Sequence, residues 1–203
     1  MILYGWLHKA YSQSQAGLEQ YYYMDTATVT FNPIIWYQAN SGWYAESRYN
    51  YEADKTLSAY VGKTFENQST FSYSFSPMLG AVAGGFNGGS IAVNTELKYK
   101  KLFFSSQSQY TFSLEKRSDN FIYNWCDIGY TSLPWLSAGI SLQQTNLCDT
   151  KSEKGFFIKA EWGSWVLPLY IFNPQKSERY TVLGLNFSMA TKKNKRPKNT
   201  NYK

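Results

Sequence analysis

The stretch Trp43-Tyr-Ala-Glu-Ser-Arg-Tyr-Asn-Tyr-Glu52 decides the fold. One set of alternate positions carries Trp43, Ala45, Ser47, Tyr49 and Tyr51; the other carries Tyr44, Glu46, Arg48, Asn50 and Glu52. Successive side chains of a strand point to opposite faces, so this period of two predicts a strand with one apolar and one polar face. A helix would need apolar residues recurring three and four apart along one face, and this stretch does not sustain that spacing.

The same alternation recurs outward in both directions. Phe71, Tyr73 and Phe75 alternate with serines, and Ile91, Val93, Thr95, Leu97 and Tyr99 alternate with Ala92, Asn94, Glu96 and Lys98. Leu136, Ala138, Ile140 and Leu142 alternate with Ser137, Gly139, Ser141 and Gln143, and Phe156, Ile158, Ala160 and Trp162 alternate with Phe157, Lys159 and Glu161. Turn signals break these runs at hairpin spacing, among them Asn40-Ser41-Gly42, Lys100-Lys101, Ser132-Leu133-Pro134 and Gly163-Ser164. The chain reads as all-β. About eleven strands fall between Thr26 and Met189, and Leu18–Met24 supplies one more. An up-and-down barrel with both termini on one side needs an even number, which predicts twelve strands, with ten as the alternative. Short connections (Glu66–Gln68, Lys100-Lys101, Gly163-Ser164) interleave with longer ones, taken as Gly80–Gly89, Glu115–Asn120 and Asn146–Gly155.

Composition narrows the class. Aromatic residues make up 19% of the 203 residues and charged residues 17%, far from the signature of a disordered chain. The longest apolar run, Trp165 to Phe172, is too short for a helix to cross a bilayer. A membrane protein with this sequence is built from strands. Net charge is +6, but Lys192, Lys193, Lys195, Arg196, Lys198 and Lys203 supply all of it, leaving a body with fourteen basic and fourteen acidic residues. A neutral body is poorly suited to the phosphate contacts that drive nucleic-acid binding. The chain divides into residues 1–15, read as a truncated signal peptide or N-terminal extension, a barrel over 16–189, and a basic tail over 190–203. The tail is read as a solvated end or as a tether to anionic envelope polymers.

These runs, with a terminal strand Tyr180-Thr-Val-Leu-Gly-Leu-Asn-Phe187, resemble Gram-negative bacterial outer-membrane β-barrel proteins of a small type. The resemblance covers roughly Tyr21 to Met189. It implies an antiparallel up-and-down transmembrane barrel in the outer membrane, contact with membrane lipid, and recognition of the last strand by the assembly machinery. Ser188 to Lys203 depart from the family pattern, in which the chain ends at the aromatic residue. On this reading the polar face lines the lumen: Glu46, Arg48, Asn50, Glu52, Asn94, Glu96, Lys98, Gln107, Gln109, Gln143, Lys159 and Glu161. Charges there are expected to pair, because an isolated buried charge is costly. Trp36, Tyr37, Trp43, Tyr44, Tyr130 and Trp135 are expected at the bilayer interfaces, where amphipathic rings are favoured.

Chemistry is sparse. The sole histidine is His8, within the segment read as a leader, so Ser–His and Asp–His schemes lack a base in the barrel. Two cysteines cannot form a four-thiolate zinc site. Cys126, placed opposite Gly139, and Cys148 are too far apart for a bridge and are read as separate thiols. Gly80–Gly89 lacks a phosphate-loop ending and is read as a loop or bent strand end. No cofactor or catalytic set emerges. The expected function is a scaffold or narrow passive channel with a polar, salt-bridged lumen. A soluble β-barrel or sandwich binding an apolar or carbohydrate ligand is the alternative, and a carboxylate-based envelope enzyme ranks third.

Overall fold

The computed structural model describes residues 13–146 and 150–191. Its strands are β1 (Gln15–Met24), β2 (Val29–Gln38), β3 (Trp43–Tyr49), β4 (Thr56–Lys63), β5 (Phe65–Asn67), β6 (Phe71–Gly84), β7 (Gly88–Tyr99), β8 (Leu102–Ser113), β9 (Phe121–Leu133), β10 (Leu136–Asn146), β11 (Thr150–Trp162), β12 (Trp165–Phe172) and β13 (Tyr180–Ala190). One turn of 3-10 helix, Arg117–Asp119, is the exception to an all-strand architecture among the described residues.

Consecutive strands pair antiparallel, apart from β4 and β5, and two further pairings close the sheet. β1 pairs with β13 from Gln15↔Ala190 to Met24↔Thr181, and β4 pairs with β6 from Thr56↔Gly84 to Gly62↔Met78. β5 continues the β4 register on β6, with Phe65 opposite Phe75, after a break at Thr64. The result is a closed ring of twelve strands with β5 as an extra short piece. Closure removes the unpaired strand edges that an open sheet would expose.

Both chain ends of the barrel lie at the same rim, where Thr191 donates from its backbone N and Oγ1 to the Ser14 carbonyl. That rim carries the tight turns Lys100-Lys101, Pro134-Trp135 and Gly163-Ser164. Lys100 and Gly163 take positive φ there, as two-residue hairpin turns demand. The opposite rim carries the longer loops 50–55, 114–120 and 173–179. Length asymmetry therefore holds, but two loops are shorter than the sequence suggests. Most of Gly80–Gly89 is strand, with only 85–87 outside β6 and β7, because Ala81↔Gly89 and Val82↔Gly88 keep pairing to the end. Likewise β10 and β11 pair up to Asn146↔Thr150, so most of Asn146–Gly155 is strand rather than loop. The short connection read at Glu66–Gln68 lies at 68–70, since Glu66 and Asn67 pair with Ser74 and Tyr73.

The polarity of the wall is inverted relative to a soluble barrel. Leu57, Val61, Leu79, Ile91, Ile128, Ile140, Phe156, Ile158 and Ile171 point outward and are exposed. Arg48, Glu46, Thr56, Ser58, Gln109, Thr111, Asp127, Ser141 and Gln143 point inward and are buried. An apolar outer belt around a polar interior is stable in lipid and not in water, and a closed barrel of this kind belongs to an outer membrane. This excludes the soluble-barrel alternative.

Inward glycines make room for inward rings. A Cβ on Gly80 would strike the Tyr60 ring, and one on Gly129 would strike Phe103. The wall is thinned where a bulky interior side chain crosses in front of it.

Candidate functional site: the barrel lumen

The interior divides at mid-height. Towards the long-loop rim it is filled, and the filling has a polar side and an aromatic side. Arg48, on β3, is 2% exposed although it is an arginine inside a barrel. It forms an ion pair with Glu46 two residues back on the same strand face. Its Nε donates to Glu46 Oε1 at 2.6 Å. Its Nη1 reaches across the lumen and donates to Gln109 Oε1 on β8, also at 2.6 Å. The guanidinium lies 4.6 Å from the Tyr51 ring centre and 4.4 Å from that of Tyr60. A planar cation between two rings is well suited to a site with little water. Tyr51 Oη in turn donates to Gln107 Oε1 at 2.6 Å, and Tyr60 Oη to Glu52 Oε1 at 2.7 Å.

The aromatic side is built from β1, β9, β11, β12 and β13. Trp125 packs against Tyr21, Tyr170 and Phe172, with ring centres 5.7, 5.0 and 6.1 Å away. Phe172 and Val182 are wholly buried. Tyr51 and Tyr123 meet edge to face at 5.5 Å and join the two sides. Beneath the rings, Asp127 accepts from Ser141 Oγ at 2.7 Å, Lys159 Nζ at 2.8 Å, Tyr170 Oη at 3.0 Å and Trp125 Nε1 at 3.1 Å. Four donors on one carboxylate satisfy a charge that could not otherwise be held there.

Towards the short-turn rim the interior opens into a vestibule of about 850 Å³. Its floor includes Tyr21, Tyr44, Glu46, Trp125, Asp127 and Tyr170, and its walls include Glu19, Glu66, Glu96, Lys98, Lys159 and Glu161. Six carboxylates and two ammonium groups therefore line it. Lys159 is tied to Asp127, and no ion pair among the described residues includes Glu19, Glu96, Lys98 or Glu161. The vestibule is acidic rather than balanced.

The residues expected in the lumen separate into groups. Glu46, Arg48 and Gln109 meet in the buried layer. Asn94, Glu96, Lys98, Gln107, Lys159 and Glu161 lie along the vestibule. Gln143 is buried nearer the long-loop rim, where Tyr180 Oη donates to it at 3.3 Å. Asn50 and Glu52 lie beyond the end of β3, in the turn to β4. Asn50 has φ of 58°, and its side chain accepts from Lys55 N and donates to the Phe31 carbonyl, so it shapes the turn. That left-handed residue also breaks the alternation: Tyr51, assigned by parity to the outer face, turns inward onto Arg48. Tyr37, Trp43, Tyr130 and Trp135 are exposed on the outer surface. Trp36 and Tyr44 instead face inward and stack on each other at 6.3 Å. Trp36 shares the face of Asn32 and Ile34, and Tyr44 that of Glu46, to which its Oη donates at 2.7 Å.

Asp127 was not among the expected lumen residues. An acidic residue two positions after an inward tryptophan, in a strand otherwise poor in charge, was the available signal. Cys126 is a free thiol. It pairs with Leu142 rather than with Gly139, because β9 and β10 pair right down to the two-residue turn at Pro134-Trp135. Cys148, His8, residues 1–12 of the segment read as a leader and the basic tail from Lys192 lie outside the described residues, while Gln15, the last residue of that segment, already belongs to β1.

Solved structures share this architecture. The KdgM porin matches with a TM-score of 0.62 at 14% identity, over 85% of this chain and 99% of its own. The KdgM porin in complex with disordered oligogalacturonate matches equally well at 13% identity over the same shares. A membrane protein solved in work on in-meso crystallization matches with a TM-score of 0.56 at 8% identity, over 87% of this chain and 83% of its own. No protein-family model matches the chain, and no curated protein matches it in sequence.

Proposed function

We propose that this protein is a non-enzymatic outer-membrane barrel of the scaffold type, whose lumen is a blind vestibule opening at the short-turn rim. In outer-membrane barrels the short turns face the periplasm, which makes the vestibule periplasmic and the filled half extracellular. The observation that carries the reading is Arg48, which is 2% exposed while bridging from β3 to Gln109 on β8. A guanidinium held by a carboxylate, an amide and two rings is not a water-filled pore lining. The last strand, Tyr180–Phe187, would be the segment read by the assembly machinery, and the basic tail would remain free to meet anionic envelope polymers.

A narrow passive channel is the second reading, favoured by the depth of the vestibule, which reaches the Arg48–Glu46 layer from below. Conduction would then require that layer to move. The KdgM porin binds an acidic oligosaccharide, oligogalacturonate. A vestibule with six carboxylates and two lysines is poorly matched to a polyanion, so its contents would differ.

Single-channel recording in planar bilayers tests the proposal. The unmodified protein is expected to carry no steady current, and Arg48→Ala to carry one, with both showing heat-dependent gel mobility as proof of a folded barrel. A steady current from the unmodified protein that Arg48→Ala leaves unchanged would overturn the scaffold reading.

A further inference from the structure

The outer wall is not uniformly apolar. On β8, Ser106 and Ser108 point outward between Leu102 and Phe104 on one side and Tyr110 and Phe112 on the other. On β9, Asn124 and Cys126 point outward between Ile122 and Ile128. The two pairs are adjacent, with Ser106 opposite Cys126 and Ser108 opposite Asn124, and Gln144 on β10 lies opposite Asn124. The four side chains of β8 and β9 form one connected group, while Gln144 Nε2 donates to Asn146 Oδ1 at 3.5 Å. Asn124 Oδ1 accepts from Ser108 Oγ at 2.7 Å, Ser106 Oγ at 3.2 Å and Cys126 Sγ at 3.4 Å. Two outward polar residues elsewhere tie back to backbone instead: Gln20 Nε2 donates to the Tyr21 carbonyl and Ser47 Oγ to the Ser58 carbonyl.

We infer that this patch is the contact face of a homodimer, with a second copy of the chain as its occupant. Three features favour that occupant. Outward apolar residues flank the patch on both sides, Tyr110, Phe112 and Ile122 towards the long-loop rim and Leu102 and Ile128 towards the other, which sets it within the hydrocarbon belt, so a soluble partner and a lipid headgroup do not reach it. It carries hydroxyl, thiol and amide groups and no charge, hence both donors and acceptors, which can pair with a copy of themselves. Two barrels of the same orientation in one membrane are related by an axis along its normal, so each residue meets its counterpart at equal depth. A single patch on one wall fits a two-fold axis, whereas a higher ring would need two different faces. Asn124 Nδ2 makes none of the hydrogen bonds within the patch, and a facing Ser108 or Asn124 would give it an acceptor. Serine and cysteine are small, which lets the two walls approach.

Site-directed cross-linking of the full chain in lipid bilayers tests this. In Cys148→Ser protein, copper-phenanthroline oxidation is expected to give a Cys126–Cys126 dimer that reductant dissolves. A Cys126→Ser, Cys148→Ser, Ile35→Cys protein carries its thiol on the distant β2 wall and is expected to stay monomeric under the same oxidation. Asn124→Leu with Ser108→Leu is expected to shift the mass in detergent from dimer to monomer while keeping heat-dependent mobility. Monomeric mass for the unmodified protein in mild detergent, with no cross-link through Cys126 in bilayers, would overturn the inference. So would equal cross-linking from Cys126 and from the Ile35→Cys position, which marks random collision, or a dimer formed only with a different protein.

Discussion

The two halves of the lumen are built from the same twelve strands and the same alternation, yet one is filled and the other open. The difference lies in what the inward positions carry. Towards the long-loop rim they carry Arg48, Tyr51, Tyr60, Trp125, Tyr170 and Phe172, large side chains that reach across and find partners on distant strands. Towards the short-turn rim they carry serines of β6 together with Glu96 and Lys98 of β7, which border the open vestibule. A barrel of this circumference is wide enough that only long or aromatic side chains meet in the middle. Composition of the inner face, not strand geometry, decides whether a given level is closed.

That contrast predicts a steep gradient of mutational cost along the barrel axis. Trp125→Ala has the largest expected effect, about 5 kcal/mol, because it opens a cavity among four rings and leaves Asp127 and Ser141 without the indole N–H. Denaturant unfolding in detergent micelles measures it, and a loss under about 1 kcal/mol would mean the filled half is not tightly packed. Arg48→Ala is expected to cost about 3–4 kcal/mol by leaving Glu46 buried without its partner. The paired change Glu46→Gln with Arg48→Met should recover most of that loss, since the charge and its partner leave together. Failure of the pair to recover would show that Arg48 acts through the Tyr51 and Tyr60 rings instead.

Glu96→Gln, in the open half, is expected to change stability by under about 0.5 kcal/mol, because the carboxylate is exposed in the vestibule and has no ion-pair partner among the described residues. Its readout is electrical: in Arg48→Ala protein, the reversal potential in a salt gradient should show cation preference, and Glu96→Gln should weaken it. Anion preference would contradict an acidic vestibule. The smallest effect belongs to the rim. Asp25, in the β1–β2 turn, accepts from the backbone N of Ala27 and Thr28, both at 2.7 Å, and these bonds hold its carboxyl below the usual range. A carboxyl whose pKa is lower folded than unfolded contributes stability above the unfolded value, about 4, and loses it as the pH falls further. The protection of the Ala27 and Thr28 amides, taken relative to the intrinsic exchange rate at each pH, should fall on acidification through that range, and in Asp25→Ala it should be low at every pH.

Much of the barrel was legible in the residues themselves. Period-two alternation in Trp43–Tyr49, Phe71–Ser76 and Ile91–Tyr99 assigns each side chain to a face, and parity of the strand number follows from both ends sharing a rim. The alternation failed where backbone conformation broke it: the left-handed φ at Asn50 ends the strand and lets Tyr51 and Glu52 both reach inward. Interface aromatics were harder to read, since Trp36 and Tyr44 have the right residue type and rim position but the wrong parity. Asp127 was missed because its four donors come from four strands, β9, β10, β11 and β12.

By itself, then, the sequence determined an all-β, neutral-bodied chain whose strands alternate an apolar and a polar face, with its one histidine outside them. Those properties are local, set by which residue follows which along a strand. Tertiary structure alone decided that Arg48 meets Gln109 across the lumen, that the vestibule keeps a surplus of carboxylates, and that Ser106, Ser108, Asn124 and Cys126 form one patch on the lipid side. These depend on register between strands distant in the chain, and register is fixed by the closure of the whole ring.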